Sequence, residues 1–312
     1  MGTTHFDEAP ASDFEIGHLQ GHWTDLGRAA GSVTVGARRI QVPAGAWATP
    51  AHEHGLDEEI FFVLSGRGIS WQAGRTAQVR AGDCVVYLAG RGAHTLHALE
   101  PLDVLAFGPR HRDEAVGFPR LGLSLVGRRA VESVPGAVDR APIQFVREAE
   151  LGPPDLPETP GDRPGSIVNL DDVEPVQFGL GGRVSAQRRD LGKAAGSQRT
   201  GCKHVEVEPG HAAAPAHCHS HEEEIFVILE GEGTLRLGDE ETPVRPGNVI
   251  ARPAGTRVAH MFRAGSAGLS FLAYGTREPG DMCFYPDSNK VSFRGLGVIA
   301  RLEQLDYWDG EE

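Results

Sequence analysis

The feature that most constrains this chain is that it contains itself twice. Shifting the sequence by 165 residues lays DLGRAAGS (25–32) on DLGKAAGS (190–197), and PAHEHGLDEEIFFVLSGRG (50–68) on PAHCHSHEEEIFVILEGEG (215–233). The register runs ungapped from 25 to 90, with Gly82 against Gly247 and Gly90 against Gly255. One inserted residue then brings Ala93-His94 onto Ala259-His260, and one more brings LDVLAFG (102–108) onto LSFLAYG (269–275). Stacked repeat units have periods of about 20–50 residues, so a shift this long predicts two complete domains of one fold. At 312 residues the chain is long enough for each to bury its own core.

Short β-type runs recur in both halves: RRIQV (38–42), EIFFVL (59–64), GISWQ (68–72), DCVVYL (83–88) and DVLAF (103–107), then CKHVEV (202–207), EIFVIL (224–229), GTLRL (233–237), NVIARP (248–253) and LSFLAY (269–274). Gly, Pro, Asn and Asp punctuate them at roughly 8–12-residue spacing, the pattern of an antiparallel sandwich or barrel. The acidic, proline-rich stretch EAELGPPDLPETPGDRPG (148–165) lacks periodicity and reads as a connector. The expected organisation is therefore a domain over 1–140, a linker over 141–165 and a second domain over 166–312.

The repeat also sorts the polar residues. Six potential metal-binding side chains crowd positions 217–224, but only some recur. His217, His219 and Glu224 fall on His52, His54 and Glu59, whereas His221 falls on Leu56 and Glu222 on Asp57. Glu223 recurs as Glu58, one residue out of register with the apolar strand, and is expected to be structural or exposed. In an extended segment the two imidazoles of H-x-H share a face, which turns Cys218 away from them. A glutamate five residues on can open the neighbouring strand, and a further histidine follows the glycine turn: His260 in the second half, and His94, with His97 as competitor, in the first. Three imidazoles and a carboxylate make a plausible set of ligands for a divalent first-row ion: Fe, Mn or Ni, with Zn, Co or Cu as alternatives. Four protein ligands on an octahedral ion leave two adjacent positions open, which suits a bidentate anion or a substrate together with dioxygen.

The formal net charge of −13 argues against nucleic acid or an anionic membrane surface as partner. No run of about 18 apolar residues indicates a membrane span, and the acidic N-terminus has no signal-peptide pattern. The four cysteines form no C-x-x-C pair and read as reduced, buried thiols, so a cytoplasmic protein is expected.

These motifs resemble those of the cupin superfamily: Gly45…His52-x-His54-x4-Glu59-x6-Gly66 and Gly210…His217-x-His219-x4-Glu224-x6-Gly231, then Gly82-x5-Leu88-Ala89-Gly90…His94 and Gly247-x5-Pro253-Ala254-Gly255…His260. Leu88 stands where the second motif has proline, and both last histidines come a residue or two late. The resemblance implies an all-β chain of two tandem cupin (jelly-roll) barrels, a bicupin. It implies metal held by His52, His54, Glu59 and His94, and by His217, His219, Glu224 and His260. Among the reactions of such proteins, a non-haem dioxygenase-type conversion of a small molecule is the first expectation, an anionic substrate being suited to the site. A metal-dependent decarboxylase, a sugar isomerase or epimerase, and a non-catalytic metal- or ligand-binding bicupin are the alternatives. Homo-oligomer formation fits the family.

Overall fold

One strand shows how the sequence builds the molecule. Side chains alternate across a strand with period two. Along Glu59–Ser65, Phe61 and Val63 enter the core of the first barrel, while Ile60 and Phe62 enter a second apolar cluster shared with the other half. Glu224–Leu237 repeats this, with Phe226 and Ile228 inside its own barrel and Ile225 and Val227 in the shared cluster. A strand buried on both faces reads as an unbroken apolar run, which is what EIFFV and EIFVI are. The same alternation sends Glu59 and Glu224 into the barrels and Glu58 and Glu223 toward the opposite half.

The computed structural model describes residues 2–127, 129–132, 143–158, 162–179 and 182–311. The first barrel sets a seven-stranded sheet, ordered Ile167–Asn169, Asp83–Tyr87, Glu59–Ser65, Leu102–Pro109, Val35–Val42, Leu19–Asp25 and Ala11–Ile16, against a three-stranded sheet of His94–Ala98, Arg67–Gln72 and Arg75–Arg80. In the second, Glu224–Leu237 and His260–Thr276 pass through both walls, bending at irregularities between Ile228 and Glu230 and between Gly231 and Gly233. The chain is thus all-β in architecture, two barrels related by internal duplication. The motif glycines at the bend have a steric reason. Gly66 and Gly231 have φ of +86° and +75°, and a Cβ there would lie 2.0 Å from the Pro101 carbonyl oxygen or 2.2 Å from that of Gly268.

The halves are bound more closely than a linker implies. Thr3–His5 pairs with Asn248–Arg252 of the second barrel, and Ile167–Asn169 pairs with Asp83–Tyr87 of the first. Each exchanged segment covers what would otherwise be an open sheet edge, and both cross the boundaries expected from the sequence. Phe107 and Tyr274 stack across the shared cluster with centroids 5.0 Å apart. Within the expected linker, Ile143–Leu151 is a helix whose Phe145 packs on Trp23 and Phe14 at 5.6 and 5.5 Å; residues 141–142 and 159–161 lie outside the described residues. Two small sheets were not anticipated: Ala115–Phe118, Leu123–Val126 and Arg129–Glu132 fold back on Glu53–His54, as Met282–Tyr285, Lys290–Phe293 and Val298–Arg301 fold back on Cys218–His219. All four cysteines are free and buried. Among the described residues no helix is long and apolar enough to cross a membrane.

Candidate metal centres

The backbone brings the first and last histidines of each half together. His52 and His94 exchange N–H···O bonds of 3.2 and 2.8 Å, as do His217 and His260, setting their rings 4.7 and 4.4 Å apart. The second histidine of each H-x-H is held by the small returning sheet, His54 opposite Val116 and His219 opposite Cys283. The glutamate opens the central strand. In the first half Glu59 Oε2 lies 2.9 Å from His94 Nε2, 3.4 Å from His54 Nε2 and 3.7 Å from His52 Nε2, and the four groups offer ligand atoms all within 4.8 Å of one another. In the second, Glu224 Oε2 is 3.2 Å from His260 Nε2 and 3.4 Å from His219 Nε2, and His217 joins Glu224 and His260 within 4.8 Å.

Hydrogen bonding on the far side of the rings decides which nitrogen faces the centre. A carbonyl can only accept, so the contacts of His52 Nδ1 to Pro50 O (2.9 Å) and His217 Nδ1 to Pro215 O (2.8 Å) put the proton on Nδ1. Nε2 then presents its lone pair inward. Burial lowers the pKa of His217 to about 3 and that of His94 to about 4, in both cases the largest influence, so these rings are neutral. Burial alone would raise the Glu59 and Glu224 carboxyls, but the surrounding imidazoles outweigh it and hold both below the usual range. His54 is the exception. Burial opposes its charge, yet Glu59, Glu114 and Asp57 together raise it to about 9.

Do these residues fit a metal? His54 Nε2, His219 Nε2 and Glu224 Oε2 are buried without any hydrogen-bond partner. A buried polar atom left unpaired costs about 1–3 kcal/mol; among the described residues one such atom faces the centre of the first barrel and two face that of the second. Three nitrogens and one carboxylate oxygen are a set that a divalent transition ion accepts and that water would serve poorly. The fit is good.

His94 belongs to the group and His97 does not, its ring lying instead 4.9 Å from Trp47. His221 is exposed and bonded to Ser220. Other groups gave no signal in the sequence. Asp281 Oδ2 accepts from His219 Nδ1 at 2.7 Å while its other oxygen accepts the His221 and Glu222 backbone N–H groups. Glu114 accepts three backbone N–H groups beside His54, at 2.8–2.9 Å. Cys283 lies within the same 4.8 Å limit of His217 and His219, its thiol pushed up to about 12, chiefly by burial. Glu222, which the repeat sets against Asp57, is buried and bonded to Arg294.

The first barrel has a cavity of about 190 Å³ that reaches His52 and Glu59. The second opens on one of about 620 Å³ lined by all four of His217, His219, Glu224 and His260.

A family profile described as "Cupin domain" matches residues 38–107 and again 203–273. Comparison of the sequence with curated proteins returns no match. Among solved structures, the formate complex of oxalate decarboxylase from Lactobacillus farciminis aligns with a TM-score of 0.58 at 16% identity, over 89% of this chain and 86% of that one. A single-substitution variant of oxalate decarboxylase from Bacillus subtilis aligns with a TM-score of 0.56 at 16% identity, over 88% of this chain and 76% of that one. A sugar phosphate isomerase from Silicibacter pomeroyi, described as of a cupin superfamily, aligns with a TM-score of 0.40 at 28% identity, over 45% of this chain and 96% of that one.

Proposed function

The chain is a bicupin of the cupin superfamily, and on that premise we propose that it is a metal-dependent enzyme that removes carbon dioxide from a small carboxylate. The observation that carries the proposal is the convergence of unpaired, buried ligand atoms at the wall of the second barrel's cavity. His217, His219, His260 and Glu224 would hold the ion there, and His52, His54, His94 and Glu59 a second ion in the first barrel. A divalent ion so held supplies a Lewis acid that draws electron density from an oxygen of the substrate.

The protein's own groups supply the rest. Asp281 fixes the His219 ring, the Pro215 carbonyl fixes that of His217, and Phe226, Phe262 and Phe271 line the cavity with apolar surface. Breaking the bond to the departing carbon dioxide leaves its electron pair on the remaining carbon, which must take up a proton. Tyr285 lines the same cavity, and burial raises its pKa, keeping the hydroxyl protonated at neutral pH. In this proposal it is the donor.

The reaction type is taken by analogy from the two-barrel structures above, which are oxalate decarboxylases; at their identity they share the fold and no more. The dioxygenase expectation gains no support from them. The test is to reconstitute the chain with Mn, Fe(II), Ni or Zn and follow carbon dioxide release and oxygen uptake in parallel over a panel of small carboxylates. Release without oxygen uptake supports the proposal. Stoichiometric uptake would return the oxygenase reading, and neither with any metal would remove the enzyme reading.

A further inference from the structure

The two barrels agree in their histidines and differ in what surrounds them. Val116 stands opposite His54 where Cys283 stands opposite His219. Two residues on, Phe118 lies 6.1 Å from the His52 ring, and Tyr285 lies 5.9 Å from that of His217. The 165-residue shift sets Trp23 against Arg188. In the first barrel, Trp23 packs on Phe145 of the linker helix, and Ile143 of the same helix packs beside Phe118. Phe145 shares a cluster with Ala51 and Ala93, the chain neighbours of His52 and His94. Among the described residues the second barrel has no such helix, and the corresponding cluster is Ala212, Ala216, Ala259 and Met261 with Val184.

What the second barrel has instead is a half-buried cation. Of the arginines lining its cavity, Arg277 faces Asp190 at 3.5 Å and Arg294 faces Glu222 at 2.5 Å. Among the described residues Arg188 has no carboxylate partner of this kind. Its Nε is buried without a hydrogen-bond partner, its Nη2 donates to the Ala213 carbonyl at 3.2 Å, and its guanidinium lies 3.3 Å from the centroid of the Phe178 ring. The fork of a guanidinium matches the two oxygens of a carboxylate. The remaining wall includes Phe226, Phe262 and Phe271.

Resting on the proposed function, we infer that the second barrel is the one that receives substrate, and that the substrate is a carboxylate with an apolar, ring-sized body. Its carboxylate is anchored by Arg188, its body lies against the three phenylalanines, and an adjacent oxygen faces the histidines. A two-carbon diacid would leave most of about 620 Å³ unfilled, and a phosphorylated sugar would set hydroxyls against phenyl rings. The first barrel also carries a cation at its cavity, Arg38, stacked on Trp23 at 4.7 Å, but in less than a third of the volume.

The test is calorimetric titration of the metal-loaded full chain with benzoate, its neutral isostere benzamide, and oxalate. Benzoate is expected to bind at one site, at least tenfold more tightly than benzamide and more tightly than oxalate. Arg188→Gln weakens benzoate at least tenfold and Arg188→Lys weakens it less, both with unchanged metal content and melting behaviour. Arg38→Gln leaves it unaltered. No benzoate binding, equal affinity for benzamide, undiminished binding in both Arg188 variants, or loss on Arg38→Gln would overturn the inference. Arg188-dependent benzoate binding by a chain that takes no metal would support the anchoring site while overturning the enzymatic reading, so the two fail separately.

Discussion

Glu58 and Glu223 make the same contact in opposite directions. The Glu58 carboxylate, from the first barrel, accepts the backbone N–H groups of Gln198 (2.7 Å) and Thr200 (3.2 Å) and the Thr200 hydroxyl in the second. Glu223 accepts those of Val33 (2.7 Å) and Thr34 (2.5 Å) and the Thr34 hydroxyl in the first. Each is fully enclosed, 2% and 1% exposed, and each immediately precedes the glutamate that faces a histidine cluster. Adjacent residues on one strand point to opposite faces, so a single dipeptide, Glu-Glu, serves the candidate metal centre with one side chain and the inter-barrel contact with the next.

Removing either clasp strands several buried donors at once. Glu58→Ala and Glu223→Ala are each expected to lower stability by about 2–4 kcal/mol, the sum of a few charge-assisted hydrogen bonds. Chemical denaturation measures this. A loss below about 0.5 kcal/mol would show that these contacts contribute little to the union of the barrels.

Asp281 holds His219 from behind, and such partners typically govern metal affinity about 10–100-fold. Asp281→Asn should therefore weaken the second site by about that factor and leave the first unaltered, as read by competition with a chromophoric chelator. Equal weakening of both sites, or of neither, would contradict the assignment.

Metal uptake by the first site should depend on pH. His54 is raised to about 9, against the opposing effect of burial, by Glu59, Glu114 and Asp57. Below that pH the metal-free ring carries a proton that an incoming cation must displace. With the second site disabled by His217→Ala, affinity should rise about tenfold per unit as pH approaches about 9, with proton release on binding. A flat profile between pH 6 and 8 would show that His54 is not a ligand.

The linker helix packs beside the first site, Phe145 sharing a cluster with Ala51 and Ala93. Phe145→Ala removes a buried ring that packs on Trp23 and Phe14, and should cost about 3 kcal/mol. It should also speed metal exchange at the first site, followed by isotope exchange, while the second site keeps its rate. Unchanged exchange would mean the helix is structural only.

Much of this architecture is legible in the sequence because period and repetition carry it. The two barrels follow from the 165-residue shift, and the grouped histidines from H-x-H on an extended segment. His94 over His97 is decided by register, since only His94 pairs with His52 across the strands. Other features leave no local trace. Asp281 serves His219 from 62 residues away, and Glu114 reaches His54 from the loop just before a returning strand, Ala115–Phe118, that no spacing announces. Thr3–His5 is too short to read as a strand, and its partner lies in the other half. The helix Ile143–Leu151 runs into a proline-rich stretch whose composition masks it.

The central claim is tested most directly by the metal content of the full chain after reconstitution, in wild type, His52→Ala and His217→Ala. The account predicts about two ions per chain, falling by one in each variant. A wild type that takes up no Fe, Mn, Ni or Zn, or variants that lose none, would contradict it.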